Sequence, residues 1–71
     1  MREGFAARLD EALTADGLTT EAFARRIDKT LRTVQRWRNG EGQPTAEGLL
    51  LIARELDRDP AWFYDSMEEA A

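Results

Sequence analysis

Apolar residues recur along the chain at intervals of three and four positions, which is the spacing of one face of an α-helix rather than of a strand. The first such stripe consists of Phe5, Leu9, Ala12 and Leu13. Gly17 follows it and suits the left-handed conformation that closes many helices. The pattern predicts a first helix from about residue 3 to residue 15.

Two threonines precede the second apolar stripe. Thr19 or Thr20 offers a side-chain oxygen to cap a second helix, and Glu21 suits the positive end of the helix dipole. The inward face then consists of Phe23, Ala24 and Ile27. Because the apolar pattern breaks at residues 28–29, we expect this helix to be short.

A third helix is predicted directly after that break. Thr30 supplies its N-cap, and the helix runs to Arg38 before Asn39-Gly40 closes it. Residues 39–44 read NGEGQP, and two glycines with a proline indicate an irregular loop.

The remaining residues predict two more helices. Thr45 caps a fourth helix whose inward residues are Leu49, Ile52, Ala53 and Leu56. Asp59-Pro60 is typical of a helix start and predicts a short fifth helix. The sequence thus predicts an all-α, compact five-helix bundle over residues 1–71 as a single domain, with a frayed tail at about 66–71.

Histidine and cysteine are both absent from the 71 residues. Disulfides and thiolate metal sites are therefore excluded, and any catalysis would have to proceed without imidazole or thiol. We expect no enzyme, no cofactor and no metal site. A run of about 18 apolar residues is also missing, and the N-terminus carries acids where a signal peptide needs an apolar stretch, so we expect a cytoplasmic protein.

The basic residues are concentrated in one segment, although the whole chain carries a net charge of −4. Residues 25–38 contain six basic side chains and one acid, a local charge of +5, so the rest of the chain carries −9. Contacts at short range depend on the charge within a Debye length of about 8 Å. The basic segment is therefore able to attract a polyanion despite the acidic total.

The predicted third helix divides into two faces. Successive helical residues turn by about 100°, so Val34 and Trp37 share one side. Arg32, Gln35 and Arg36 lie on the other side. A solvated helix face is the simple explanation of these polar residues, but arginine also pairs with guanine, and glutamine with adenine, in the major groove of DNA.

The run TTEAFARRIDKTLRTVQRWRNG closely resembles the helix-turn-helix of the Xre/Cro-type DNA-binding proteins, which include phage and bacterial repressors. The run PTAEGLLLIARELDRDPAWFY is similar to the helix after that motif and to the short aromatic helix that closes the domain. The specific elements are Ala24 between the two helices, Val34 and Trp37 as core anchors, and the Arg-Asn-Gly ending. The resemblance covers roughly residues 5–64 and implies a lambda-repressor-like fold with the helix-turn-helix at about residues 19–39.

The resemblance implies a transcriptional regulator that binds double-stranded operator DNA, as a dimer, in a bacterial cell or phage-infected host. It implies that base edges are read by Leu31, Arg32, Gln35 and Arg36. It also implies phosphate contacts by Thr20, Thr30, Thr33 and Asn39, to which the basic segment adds Arg25, Arg26, Lys29 and Arg38.

Three positions depart from the family pattern. Asp28 stands where the tight turn usually has glycine, and Lys29 stands where an apolar residue is common. Leu31 replaces what is often a polar base reader, and leucine either touches a thymine methyl group or packs inward. We therefore expect recognition to depend mainly on Arg32 and Arg36, with guanines in each half-site.

The segment LLLI at residues 49–52 cannot place all its side chains in one core, so Leu50 or Leu51 is left over. An isolated exposed leucine is one interpretation, and an apolar patch for a homodimer is the other. The candidate patch consists of Leu50, Leu51, Trp62, Phe63 and Tyr64. The tryptophans themselves are interpreted as core residues rather than as platforms for stacked bases.

Two other functions compete with DNA regulation. A protein-interaction module, such as an antirepressor, would keep the fold without DNA binding, and the acidic total supports that alternative. A binder of single strands or RNA would need exposed aromatic side chains beside the arginines. The aromatic residue of the basic segment, Trp37, is expected to be buried.

Overall fold

The computed structural model describes residues 4–64, and within that range the chain forms α-helices and one 3-10 helix. The elements are α1 (Phe5–Ala15), α2 (Thr20–Arg26), α3 (Leu31–Arg38), α4 (Ala46–Glu55) and a terminal 3-10 helix (Pro60–Tyr64). The all-α class is confirmed. The predicted start of the first helix at residue 3 and the predicted frayed tail at 66–71 lie outside the described residues.

The prediction of five α-helices is wrong, because the fifth element is a single 3-10 turn. The carbonyl oxygen of Asp59 accepts a hydrogen bond from the Trp62 amide at 2.9 Å, three residues on. The Asp59 side chain accepts another from the Ala61 amide at 2.8 Å. Pro60 has no amide hydrogen, and five residues leave room for little more than one turn, so the tighter bonding pattern prevails.

Threonine side chains cap three of the helices, as the sequence predicts. Thr19 rather than Thr20 caps α2, and its hydroxyl oxygen accepts from the Ala22 amide at 3.0 Å. Thr30 accepts from the Thr33 amide at 3.1 Å at the start of α3. The corresponding bond at α4 joins the Thr45 oxygen to the Gly48 amide at 3.1 Å.

Each of the four α-helices is followed by a residue in the left-handed conformation. These residues are Gly17, Asp28, Gly40 and Asp57, with φ between 54° and 78°. In each case the next amide bonds back to a carbonyl in the last turn, as Lys29 does to Ala24 at 2.9 Å. Two of the four positions are occupied by aspartate, which tolerates this conformation less well than glycine does.

The core joins α1 to α3 and to the 3-10 helix through aromatic contacts. The Phe5 ring lies 6.2 Å from the Trp37 ring and 5.7 Å from the Phe63 ring, measured between centroids. Val34 is fully buried and Trp37 is 7% exposed, so the predicted core anchors of the third helix are confirmed. Their burial fixes which side of α3 faces outward.

The predicted apolar patch is wrong in its composition. Phe63 is fully buried in the core, while Trp62 and Tyr64 are partly buried against it. Both Leu50 and Leu51, rather than one of them, are exposed, at 58% and 47%. The exposed large side chains of the predicted patch therefore belong to α4 and not to the 3-10 helix.

The guanidinium groups of Arg8 and Arg58 cover the Trp62 ring, with their central carbons 4.8 Å and 5.1 Å from its centroid. This contact withdraws Trp62 from the surface that a partner or a stacked base would use. None of the helices in residues 4–64 has the length and hydropathy that a membrane span requires.

Candidate nucleic-acid interface

The helix-turn-helix is formed by α2, the turn around Asp28 and α3. Ala24 of α2 is buried at 3% exposure, and its small side chain allows the two helices to approach. Asp28 adopts a φ of 57°, which confirms that the left-handed position of this turn is occupied by aspartate. The turn leaves α3 with Val34 and Trp37 directed into the core.

The outer face of α3 presents all four predicted base-reading residues to solvent. These residues are Leu31, Arg32, Gln35 and Arg36. Leu31 is 39% exposed, which decides between the two orientations that the sequence left open: it reaches outward. The helix therefore offers two guanidinium groups, one amide and one apolar side chain on a single surface.

The two arginines of this face differ in their surroundings. Arg36 donates a hydrogen bond from Nη2 to the carbonyl oxygen of Glu41 at 3.3 Å, so its guanidinium leans against the loop after α3. Arg32 forms no hydrogen bond or ion pair with residues 4–64. Arg32 is thus ready to accept a ligand, whereas Arg36 has to exchange one existing bond.

The threonines at the start of α3 are linked to each other. The hydroxyl oxygens of Thr30 and Thr33 lie 2.9 Å apart, and Thr30 also caps the helix. Thr30 is exposed and Thr33 is half-buried. Both predicted phosphate-contacting hydroxyls therefore lie at the positive end of the α3 dipole.

A polar cluster connects three helices beside the α3 face. Arg38 of α3 donates from Nη1 to the Thr20 hydroxyl of α2 at 2.7 Å, and its Nη2 pairs with the carboxylate of Asp10 of α1. Gln35 and Asn39 line the same polar groove. Two predicted phosphate contacts, Thr20 and Arg38, are therefore engaged with each other and with an acid of the chain itself.

Sequence reasoning missed Asp10 as a member of this cluster. The residue is 28 positions from Arg38, and nothing in its neighbourhood distinguishes it from other surface acids of an amphipathic helix. The pairing depends on the packing of α1 against α3, which the residues around Asp10 do not determine.

The two arginines of α2 also have acidic partners. Arg25 contacts Glu21 at 2.6 Å within the same helix, and Arg26 lies 3.7 Å from Glu55 of α4. Lys29, in the turn, is exposed and pairs with no acid in the described part of the chain. Among the cations predicted to contact phosphates, Lys29 is therefore the one without an internal counter-charge.

A helix-turn-helix with a buried seam and an outward cationic face defines the class of DNA-binding domains. The chain belongs to the Xre/Cro-type helix-turn-helix family, since the family model described as "Helix-turn-helix" matches residues 9–63. Members of this family are DNA-binding regulators. No curated protein matches the chain significantly. The family match includes all of α2, the turn and α3.

Proposed function

We propose that the protein is a transcriptional regulator, of the repressor type found in phages and bacteria, that inserts α3 into the major groove of operator DNA. The observation that supports this proposal is the joint outward orientation of Leu31, Arg32, Gln35 and Arg36 on one short helix. A helix of this width fits the groove, and arginine and glutamine match the hydrogen-bonding edges of guanine and adenine. The proposed setting is the bacterial cytoplasm.

The proposed base reading assigns a separate role to each side chain. Arg32 pairs with a guanine without losing an internal bond, while Arg36 exchanges the carbonyl of Glu41 for a second guanine. Gln35 pairs with an adenine, and Leu31 contacts a thymine methyl group. Because Arg32 gives up no internal hydrogen bond when it binds a guanine, we expect it to contribute more than Arg36 to the discrimination between bases.

The proposed phosphate contacts come from the margins of this face. Thr30, Thr33 and Lys29 lie at the start of α3, and Thr20 and Asn39 lie at its far end beside Arg38. Arg25, Arg26 and Arg38 reach a phosphate only by leaving the acids that hold them now. Phosphate contacts fix the position of the domain but carry no base information.

Selection of bound sites from a random duplex library at low salt tests the proposal. We expect recovered sites to contain guanines in two symmetric half-sites, about 34 Å apart if a dimer binds both. Retention of no duplex at low salt would reject DNA binding and favour the second candidate. Recovery without any base preference would reject only the assigned reading of bases.

The second candidate is a protein-interaction module on the same fold. It is favoured by one specific observation: Arg25, Arg26 and Arg38 are each paired with an acid of the chain, which reduces the charge available to a polyanion. An interaction module would retain no duplex at low salt. The library selection therefore separates the two candidates in a single experiment.

A further inference from the structure

The solvent face of α4 carries the two most exposed large apolar side chains of residues 4–64, Leu50 and Leu51. The opposite face of the same helix is in the core through Ile52 and Ala53. Leu50 and Leu51 line an open groove of about 600 Å³ together with Pro60. These adjacent leucines give the outer face of α4 an apolar patch, a feature that marks many protein–protein interaction sites.

Two charged residues of opposite sign bracket these leucines. Glu47 and Arg54 are exposed and seven residues apart, which corresponds to about 10 Å along the helix axis. Because successive residues turn by about 100° around the helix axis, Glu47 and Arg54 point in directions that differ by only about 20°. Leu50 and Leu51 point about 50° to either side of that direction. The four residues, here called the α4 stripe, therefore form a diamond with a leucine pair at its centre.

We propose that the α4 stripe binds the α4 stripe of a second copy of the chain, with the two helices antiparallel. The two-fold axis of this pair is perpendicular to both helices and passes midway between Glu47 and Arg54, so it places each end of one stripe against the opposite end of the other. Each Leu50 then packs over Leu50 of the partner subunit, each Leu51 packs over the partner's Leu51, and each Glu47 faces the partner's Arg54. Such self-complementarity is what an isologous two-fold interface requires.

The charge order selects this arrangement over other pairings of the same surface. A parallel pairing places Glu47 against the partner's Glu47 and Arg54 against the partner's Arg54, and both contacts are repulsive. The antiparallel pairing converts all four charges into attractive contacts. A second copy is therefore the occupant that the arrangement of charges fits.

The size of the stripe sets the strength of the contact. The ten residues of α4 span about 15 Å, so one face of this helix covers less than the roughly 800 Å² per partner of a standard interface. We therefore expect weak self-association in solution, which two adjacent half-sites on DNA strengthen by raising the effective concentration. This last step rests on the proposed function, whereas the self-association does not.

Sedimentation equilibrium of the 71-residue chain over a range of concentrations measures the association. We expect Glu47→Arg and Arg54→Glu each to weaken it about tenfold, because each introduces two symmetry-related like-charge contacts. The double variant Glu47→Arg/Arg54→Glu restores all four attractive contacts and is expected to recover the parent value. Circular-dichroism melting confirms that each variant is folded.

Recovery of self-association in the double variant is the result specific to the proposed pairing. If Glu47 and Arg54 only stabilised the fold, changing both of them would not restore the association. A chain that stays monomeric at every concentration would overturn the inference, as would single variants that associate like the parent. A double variant weaker than both single variants would also overturn it. A measurement on a duplex with one half-site, which a monomer fills, separates these failures from a failure of DNA binding.

Discussion

At the scale of single residues, Arg32 is the side chain on which the proposed base reading depends most directly. It is exposed on the outer face of α3 and has no internal partner in residues 4–64. We expect Arg32→Ala to weaken binding to the selected site by about 1–3 kcal/mol, since a bidentate guanine contact has that value. Fluorescence anisotropy on selected and scrambled duplexes measures the change.

Arg25→Ala is the matched control for that variant. Arg25 is also an exposed arginine, but it belongs to α2 and pairs with Glu21. Because Arg25 lies outside the base-reading face, its loss is expected to change binding to selected and scrambled duplexes equally, and by little while Glu21 holds it. Equal losses on both duplexes for Arg32→Ala would assign Arg32 to the phosphates instead.

Asp28 combines an unfavourable backbone conformation with a charge in the turn of the helix-turn-helix. Its φ of 57° is one that glycine adopts without steric cost. We expect Asp28→Gly to stabilise the domain by about 0.5–1 kcal/mol and raise the melting temperature by a few degrees. Loss of the negative charge next to α3 is expected to increase affinity for DNA at low salt.

Asp57→Gly provides the control, because Asp57 has nearly the same conformation, with φ of 54°, at the end of α4. The same stabilisation is expected without the gain in affinity for a single half-site duplex. If both variants raise the affinity equally, the effect comes from net charge or stability and not from the position of Asp28 in the turn.

At the scale of the helices, the cluster of Asp10, Thr20 and Arg38 connects α1, α2 and α3. The pair is partly exposed, at 25% for the Arg38 side chain and 31% for Asp10, so we expect Asp10→Asn to lower stability by no more than about 1 kcal/mol. Binding to a half-site duplex is expected to become tighter, since the variant removes a negative charge beside the polar groove that Gln35 and Asn39 line. Thermal melting and anisotropy report these two opposite effects.

Asp16→Asn removes the same charge from α1 but breaks a different pair, the 3.4 Å contact with Arg58 at the end of α4. We expect a similar small loss of stability and no comparable gain in affinity. An equal gain in both variants would show that the total charge matters and that the position of Asp10 beside α3 does not.

The helices show which structural features a sequence of this kind determines locally. Thr30 and Thr45 were predicted as N-caps and Gly17 as a helix end because each acts within one turn of its own position. The burial of Phe63 and the exposure of both leucines of α4 depend on how whole elements pack. The same holds for Asp10, whose partner lies on another helix.

The features of the candidate site are likewise of two kinds: those that the local sequence determines and those that depend on how the helices pack. The outward orientation of the α3 face follows from the helical spacing of its polar residues and from the burial of Val34 and Trp37 on the opposite side. It was therefore predictable from the sequence. The distribution of counter-charges was not, because Arg26 finds Glu55 only through the packing of α2 near α4. Residue patterns identify the cations of a surface, and the fold decides which of them are paired.

At the scale of the whole molecule, charge is separated into a basic segment of +5 and a remainder of −9. The acids of the remainder do not simply repel DNA at a distance. Glu21, Glu55 and Asp10 reach into the basic segment and hold three of its arginines. The number of cations available to phosphates is therefore smaller than the number of basic residues.

This pairing predicts a shallow salt dependence for one domain on a half-site duplex. If the three paired arginines keep their acids, Lys29 is the phosphate-contacting cation that remains, and the slope of log K against log salt is expected near −1. Glu21→Gln releases Arg25 and is expected to steepen the slope by about 0.9. Glu41→Gln removes an equal charge from a side chain that holds no arginine in residues 4–64, so its slope is expected to match the parent. A parent slope near −4 would mean that DNA displaces the internal acids, and the pairs would then be a feature of the unbound domain alone.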